Sequence, residues 1–470
     1  MNRFNVIKGK DWSTISNVPS EVMKYVGSSI EGTNINQLGI YKGDSNLFAT
    51  GFVGIKRLTD MMGEAITYFD GIAESEIILE LSPRFNGIDQ WDMLSEVMCD
   101  DEYEAYIAGN SDSLYKIFYD EPSIEIDTDS RGGEFVLAIS FIMSCFSLCK
   151  VGLNHKMGFV EENLNGKVRG SICIDKQIKN NISKGKNSWI YCKYPIFSYD
   201  TLENKILKKA LNLANSIIRT KKNNIDGIRS AIKFCENCFK SVNLVNITRS
   251  DFSSINVTGF NSKYKKPIEL AKLLILHYGM NLLENERTKK RLIVPYAINM
   301  EKLFEFYVRT QVKKYINTNN IVDIRLDRYK RKGDIERLVT YIDYGNSFPL
   351  PYLMYEYIPD LLIQRKIDNE WKNIAVFDIK YQHSISNVNS TSRRHNTHQL
   401  LFYTLLLNTS KCGLIFPKEG DYDSIKRHLN IQNGDAISSD REYSQWNIAT
   451  EYGNMEKTFA EIIEYVRNNI

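Results

Sequence analysis

The sequence predicts a mixed α/β protein, α+β overall. Its amino-terminal part is β-rich, its middle is mainly helical, and its carboxy-terminal part is a central mixed sheet flanked by helices. Three observations support this. Short β-prone runs occur in the first 125 residues, an apolar run and an amphipathic pattern indicate helices in residues 126–290, and two β-prone runs precede a helical pattern in residues 291–470. A chain of 470 residues is long enough for two or three domains, and we predict 1–125, 126–290 and 291–470.

The amino-terminal part contains two predicted strands and a cluster of acidic residues. The strands cover residues 46–55 and 76–81. The acidic residues follow closely on one another: Glu96, Asp100, Asp101, Glu102 and Glu104. Such a cluster would repel a phosphate backbone, so it favours protein binding over DNA contact. A plain solvated acidic face explains it equally well.

The middle part is predicted to contain a buried helix over residues 135–149 and a second helix that begins near residue 200. Asp200 or Thr201 is the expected N-cap, and Leu202 and Ile206 begin one apolar face. Residues 166–178 between these helices are predicted to be a short strand or an extended stretch.

The eight cysteines do not form a disulfide-like pattern. Cys145 and Cys149 lie in the apolar helical run, and Cys235 with Cys238 forms a pair that lacks a second pair to complete a zinc site. Packed or half-exposed thiols are therefore the preferred interpretation. The run of residues 135–149 is too short and too rich in serine to span a bilayer. The sequence opens with no signal-peptide pattern, and we predict a reduced, soluble, cytoplasmic protein that does not contact a membrane.

Overall composition excludes few classes of protein. The chain is 43% hydrophobic and 25% charged, which is an ordinary globular balance, and its net charge is +3. Nucleic-acid binding cannot be argued from that total, so any basic surface must be local. The dipeptides Gly9-Lys10 and Gly185-Lys186 lack the spacing and the following Ser or Thr of a phosphate-binding P-loop. The chain is therefore not itself a P-loop nucleotide hydrolase.

The carboxy-terminal part is predicted to begin with a helix over residues 300–314 and to end with a strand over 412–417 and a helix over 456–468. Candidate strands also cover residues 321–326 and 337–343. Four cations lie between these two strands and could approach DNA phosphate, although an exposed turn gives the same pattern: Arg328, Lys330, Arg331 and Lys332.

The most informative stretch is a predicted antiparallel hairpin formed by residues 355–363 and 374–381, with a polar turn over residues 365–372. Side chains alternate faces along a strand, so Asp378 and Lys380 point the same way, roughly 7 Å apart along the chain. Asp360 follows Pro359 near the start of the first strand, which in a hairpin lies beside the end of the second. Two carboxylates and a lysine therefore converge at one end of a small sheet.

This grouping fits metal-assisted cleavage of a phosphodiester. Mg²⁺ and Mn²⁺ prefer carboxylate oxygens and water, and a lysine beside them can hold the attacking water or meet developing negative charge. A chance occurrence of the same residues is the competing interpretation, and the apolar flanks, where an unpaired charge is costly, favour the functional one. Downstream, Gln399 and Tyr403 lie one turn apart on a predicted helix.

These residues carry a resemblance. Pro359-Asp360, Asp378-x-Lys380 and Gln399-x-x-x-Tyr403 resemble the PD-(D/E)xK nuclease superfamily in its RecB-like form. That resemblance implies catalytic roles for all five polar residues and adds Glu305, on the helix before the sheet, as a further acid. The implied ligands of Mg²⁺ or Mn²⁺ are Asp360, Asp378 and Glu305. A solvated helix glutamate remains the alternative for Glu305.

Further blocks resemble the McrC family, in the same order along residues 45–415. The blocks lie at residues 52–55, 81–85, 165–170, 200–208 and 303–308. Arg84 stands where that family usually has lysine. The resemblance implies the endonuclease subunit of a GTP-dependent, methylcytosine-dependent restriction system. It also implies docking, through residues 1–125, onto an McrB-like AAA+ GTPase ring that binds the GTP and whose hydrolysis it stimulates. The DNA substrate would be double-stranded and methylated.

Two alternatives stay open. A catalytically quiet adaptor would keep the fold only to activate a ring nucleotide hydrolase, and the intact Asp360, Asp378 and Lys380 argue against it. A RecB-like nuclease that acts alone would not need the large acidic amino-terminal part.

Overall fold

The chain forms two compact units. Unit 1 combines Met1–Ile124 with Val294–Ile470, and unit 2 is Glu125–Ile293, so the middle of the chain is inserted into unit 1. The sequence analysis treats the two parts of unit 1 as separate domains, and that finer division stays a prediction. The computed structural model describes residues 3–16, 18–20, 22–27, 35–43, 46–60, 64–69, 74–85, 89–100, 102–103, 114–118, 121, 124–126, 133–219, 226–255, 257–278, 291–327, 359–383, 390–418, 425–433, 436–448 and 454–468.

The described residues form a mixed α/β structure with several sheets. The strands are β1 Arg3–Lys10, β2 Thr14–Ile15, β3 Ile40–Lys42, β4 Leu47–Ala49, β5 Phe52–Arg57, β6 Thr67–Phe69, β7 Glu74–Ser82, β8 Tyr115–Ile117, β9 Ile124–Ile126, β10 Lys156–Asn165, β11 Ser171–Ile172, β12 Trp189–Ser198, β13 Arg291–Ile293, β14 Tyr296–Asn299, β15 Ile324–Leu326, β16 Leu361–Ile367, β17 Glu370–Ile379, β18 Lys411–Pro417, β19 Ile425–Asn433 and β20 Ala436–Ile448. The α-helices are α1 Gln90–Met98, α2 Gly133–Val151, α3 Ile174–Asn180, α4 Leu202–Arg219, α5 Asp226–Cys238, α6 Arg249–Ser253, α7 Lys265–Leu273, α8 Met300–Thr318, α9 Ser390–Leu406 and α10 Asn454–Arg467.

One sheet of unit 1 combines strands from both chain segments of that unit. Its order is β1-β7-β5-β14-β8, with β6 also on β7, so β14 from beyond unit 2 lies between two amino-terminal strands. β14 runs antiparallel to both β5 and β8. Gly54 on β5 is required there, because a Cβ at that position would lie 2.1 Å from the carbonyl oxygen of Tyr296. The predicted strand over 46–55 is in fact two strands, β4 and β5, which are interrupted at Thr50 and Gly51.

Three of the acidic residues that the sequence grouped together form ion pairs with helix α8. This gives them an intramolecular role that the sequence analysis did not predict, and the partner-binding and solvated-face interpretations stay open. Asp101 and Glu104 lie outside the described residues. The pairs are Glu96–Lys314 at 3.3 Å, Asp100–Lys313 at 2.8 Å and Glu102–Arg309 at 3.0 Å.

Helix α2 is the centre of unit 2 and packs against α4, α5 and α7. It extends beyond the predicted run, and its segment Glu134–Val151 is long and apolar enough to cross a bilayer. Two thirds of that segment is buried inside the protein. At α4, the backbone N–H of Asn204 donates to Thr201 Oγ1 at 3.4 Å, so Thr201 is the N-cap.

Unit 2 also contains a three-stranded sheet that the sequence analysis missed. Its order is β10-β12-β11, and β10 pairs with β12 antiparallel over ten residues each. The predicted extended stretch over 166–178 is β11 followed by helix α3. The middle of the chain is therefore less helical than predicted. A two-stranded sheet of β9 and β13 lies at the two ends of this segment.

The carboxy-terminal sheet is mixed, as predicted. Its order is β15-β16-β17-β18-β20-β19. β17-β18 and β18-β20 are parallel, and the other described pairs are antiparallel. Every residue of β18 is buried, as a central parallel strand requires, and α9 packs against β17 and β18. The predicted strand over 337–343 and the four cations before it lie outside the described residues.

The hairpin of β16 and β17 turns more tightly than predicted. Asp368 and Asn369 alone connect the strands, with φ of 52° and 65°. Positive φ at both central residues is typical of a two-residue type I′ turn, and Asp and Asn tolerate it. The predicted eight-residue turn was too long because both strands continue through polar residues. The first strand begins at Leu361, after Pro359 and Asp360.

Candidate active site

The end of β17 brings Asp378 and Lys380 together. Lys380 Nζ lies 2.9 Å from Asp378 Oδ2, which confirms that the two side chains share a face. Lys380 is half-buried, whereas Asp378 is 0% exposed. Strand alternation predicted the shared face but not that the Asp378 side chain is buried. The parallel strand β18 pairs with β17 up to Ile379 and covers this edge.

Asp360 lies beside Asp378, as the hairpin predicted. Leu361 is opposite Phe377 in the register of β16 and β17, so the preceding residue comes next to Asp378. The backbone N–H of Ile379 donates to Asp360 Oδ2 at 2.7 Å. This hydrogen bond fixes the Asp360 carboxylate against the backbone of the strand that carries Asp378 and Lys380.

Asp378 has an oxygen whose hydrogen-bonding capacity is unused. Oδ1 is buried and accepts no hydrogen bond from any described residue, and Oδ2 has only the ion pair with Lys380. A buried carboxylate oxygen without a partner costs on the order of 1–3 kcal/mol. The fold tolerates this cost at the residue to which the sequence assigns a role.

The site carries more negative than positive charge. Burial raises the pKa of Asp360 well above its usual range, and the charges of Glu305 and Asp378 raise that pKa further. Glu305, on helix α8, is therefore close enough to act on Asp360. Burial by itself would lower the pKa of Lys380, but Asp378 and Asp360 outweigh this effect and raise it. Asp360 thus lies within electrostatic range of two other acids and one lysine, and a cation would relieve the repulsion among the acids.

Helix α9 places Tyr403 and Gln399 at the edge of this group. Gln399 Nε2 donates to Tyr403 Oη at 3.2 Å, which confirms that they lie one turn apart on the same face. Tyr403 is buried, and burial raises its pKa. The hydrogen bond from Gln399 opposes this rise, and the charges of Asp360 and Asp378 add to it. Tyr403 is therefore within electrostatic range of both carboxylates.

Arg309 is a site-forming residue that the sequence analysis missed. It is buried on helix α8, one turn beyond Glu305. Its guanidinium donates to the backbone carbonyls of Asp360, at 3.4 Å, and of Asp327, and to Glu102 Oε2 at 3.0 Å. It thus positions the backbone of Asp360. No local pattern marked this role, because its hydrogen-bond partners are 18, 51 and 207 residues away along the chain.

Arg84 was also missed as a positioning residue, although it lies in one of the resemblance blocks. Its guanidinium donates to the carbonyl of Tyr381, next to Lys380, and stacks on the rings of Tyr381 and Phe85 at 5.1 and 4.8 Å. Its backbone N–H donates to Asp11 Oδ1 at 2.5 Å. Burial raises the pKa of Asp11 to about 6, although the charge of Arg84 lowers it. The amino-terminal sheet thus supports the end of β17.

The residues present fit a divalent metal ion. Asp360, Asp378 and Glu305 supply only carboxylate oxygens, which Mg²⁺ and Mn²⁺ prefer. The partnerless Oδ1 of Asp378 and the raised pKa of Asp360 fit a site whose negative charge a cation would balance.

Comparison with known proteins was made against families, curated proteins and solved structures. A family profile described as McrBC 5-methylcytosine restriction system component matches residues 125–417, which is more than half of the chain. The chain belongs to the McrBC family. This confirms the family that the sequence blocks indicated. The match spans unit 2, helix α8 and the candidate site as far as the end of β18. No curated protein matches the sequence.

Two solved structures of McrBC-family complexes resemble the chain at low identity. One is a refined half-complex from a tetradecameric assembly of Thermococcus gammatolerans McrB AAA+ hexamers with bound McrC. It is 13% identical, with 98% of this chain and 100% of that chain covered and a TM-score of 0.38. The other is the Thermococcus gammatolerans McrBC complex, 14% identical, with 67% and 88% covered and a TM-score of 0.28.

Proposed function

We propose that this chain is the metal-dependent DNA endonuclease subunit of a GTP-dependent restriction system directed at methylcytosine. Membership of the McrBC family makes it a restriction-system component. The observation that carries the proposal is the buried Asp378, whose Oδ1 lacks a partner, beside Asp360 and Lys380. A mixed sheet with this carboxylate–lysine edge supports assignment of residues 291–470 to the PD-(D/E)xK nuclease fold.

Each residue of the site has a role in this proposal. Asp360, Asp378 and Glu305 would hold Mg²⁺ or Mn²⁺, which when bound lowers the pKa of water and offsets charge on the phosphate. Lys380 stays protonated because the carboxylates raise its pKa, so it can orient the attacking water or meet developing negative charge. Gln399 and Tyr403 border the site as polar groups that can contact the DNA backbone.

The GTPase is proposed to be a separate AAA+ ring of the McrB type. This chain has no P-loop sequence, so the GTP would be bound by the partner. One of the solved structures above consists of McrB AAA+ hexamers with bound McrC. The same partner would supply recognition of methylated double-stranded DNA.

The exposed apolar residues favour unit 2 as the docking surface for that ring. The resemblance placed docking in residues 1–125, which stays a prediction. In the described residues, however, large exposed apolar side chains concentrate between residues 151 and 199. Met157, Phe159 and Phe197 share one face of the antiparallel pair of β10 and β12 and are 64%, 62% and 68% exposed. Exposed patches of this kind mark protein-binding surfaces.

The cleavage assay that tests the proposed function omits one component at a time. We expect a methylated plasmid to be cut only when this chain, the ring, GTP and Mg²⁺ are all present, because the ring delivers the modified site. The chain alone should bind duplex DNA weakly and with steep salt dependence. Robust cutting of unmethylated DNA by the chain with Mg²⁺ only would favour the stand-alone nuclease. GTPase stimulation without any cutting would favour the adaptor.

Docking is tested with Phe159→Asp combined with Phe197→Asp, measured as affinity for the ring and as GTP turnover. Both phenylalanine side chains would be buried against the ring on docking. Loss of these two aromatic contacts should weaken binding by on the order of 10²-fold. The matched control is Phe69→Asp, which changes an equally exposed phenylalanine on β6 in the amino-terminal part. If Phe69→Asp abolishes binding and the double variant of Phe159 and Phe197 does not, the ring docks on residues 1–125 instead.

A further inference from the structure

Two cysteine pairs from different helices meet in the core of unit 2. Cys145 and Cys149 lie one turn apart on α2, and Cys235 and Cys238 lie one turn apart on α5. The sulfur atoms of Cys145, Cys149 and Cys235 are all within 4.8 Å of one another, and these three residues are buried. The thiol of Cys238 interacts with that of Cys149. The second pair that the sequence analysis found missing is therefore supplied by α2.

We propose that these four cysteines bind one structural zinc ion. A Cys-x-x-x-Cys pair and a Cys-x-x-Cys pair on facing helices supply the four sulfur ligands of a closed tetrahedral site. Zn–S bonds of about 2.3 Å put tetrahedral sulfurs ~3.8 Å apart, so the three sulfurs already within 4.8 Å of one another need only small shifts. An iron–sulfur cluster holds its cysteine sulfurs farther apart, which favours a single ion.

The surroundings suit a structural rather than a catalytic ion. Phe146 and Phe234, each adjacent to a cysteine of the group, pack edge to face at 5.2 Å and join α2 to α5. Burial leaves little access for a water ligand, so four protein ligands are expected.

A nearby lysine can offset part of the charge of four thiolates around Zn²⁺. Lys208 Nζ donates to the backbone carbonyls of Phe239 and Val242, at 3.1 and 2.5 Å. These carbonyls follow Cys238 at the carboxyl end of α5, where the helix dipole by itself disfavours negative charge. Lys208 therefore places a positive charge beside the end of the helix that carries two of the ligands.

The test is the metal content of the purified full-length chain, prepared under reducing conditions without chelator. About one equivalent of zinc per chain is expected. Cys145→Ser combined with Cys235→Ser should lose it. The matched control Cys173→Ser, at a half-buried cysteine elsewhere in unit 2, should keep it. Asp360→Asn combined with Asp378→Asn should also keep it, which shows that the ion is not held at the nuclease site.

A second measurement does not depend on variants that fold. Wild-type chain stripped of metal and refilled with Co²⁺ should show the visible absorption of tetrahedral cobalt thiolate, and stripping should lower the thermal stability of unit 2. The proposal is overturned if the reduced wild-type chain contains no zinc and takes none up. Iron with acid-labile sulfide, or a disulfide between the helices in place of metal, would also overturn it. None of these results depends on nuclease activity.

Discussion

Asp378→Asn should abolish cleavage of methylated DNA in the complete system, by on the order of 10³-fold or more. The change removes one charge from a fully buried side chain and keeps its shape. The lost group pairs with Lys380 through Oδ2, and its Oδ1 accepts no hydrogen bond from a described residue and could bind a cation. Asp360→Asn should have a similar effect, because it replaces a proposed carboxylate ligand beside Asp378 with an amide.

The measurement is the single-turnover cleavage rate with Mg²⁺, together with thermal unfolding and affinity for the ring. Both variants should remain folded and bind the ring, because neither changes core volume. The matched control is Asp368→Asn, the same chemical change in the turn of the same hairpin, where the side chain is exposed. If Asp378→Asn cleaves DNA at the wild-type rate, the assignment of Asp378 to the site is wrong.

Lys380→Ala should slow cleavage by on the order of 10²-fold at saturating DNA. The side chain is half-buried and its ammonium lies 2.9 Å from Asp378, so its positive charge is held at the proposed metal site. The raised pKa keeps it protonated throughout the neutral range. Loss of the ammonium would leave the proposed metal ligands in place but remove the positive charge that offsets the negative charge of the carboxylates.

Two measurements separate the possible roles of Lys380. The rate at saturating DNA reports on catalysis, and the affinity for DNA in Ca²⁺, which takes the same oxygen ligands, reports on binding. Lys366→Ala provides the control, because Lys366 is exposed on β16 of the same hairpin. If Lys380→Ala weakens DNA affinity and leaves the saturated rate unchanged, the lysine binds phosphate and does not assist the reaction.

Much of the candidate site could be predicted because its determinants lie close together along the chain. Asp360, Asp378 and Lys380 belong to one hairpin, and strand alternation and antiparallel register place them side by side. The pair Gln399 and Tyr403 follows from helical spacing for the same reason. Local periodicity also predicted helices α2, α4 and α8. It could not predict how deeply the Asp378 side chain is buried.

By itself the sequence determined the family, the hairpin with its acids and lysine, and the helices that surround it, because these depend on local spacing. Only the tertiary structure decided which distant residues support them. Arg84 reaches Tyr381 across 297 residues of chain, and Arg309 reaches Glu102 across 207. Strand β14 enters the amino-terminal sheet, and α2 brings its cysteines to α5, for the same physical reason. Long-range pairings depend on how buried surfaces and charges match in three dimensions, and no local pattern of residues records that match.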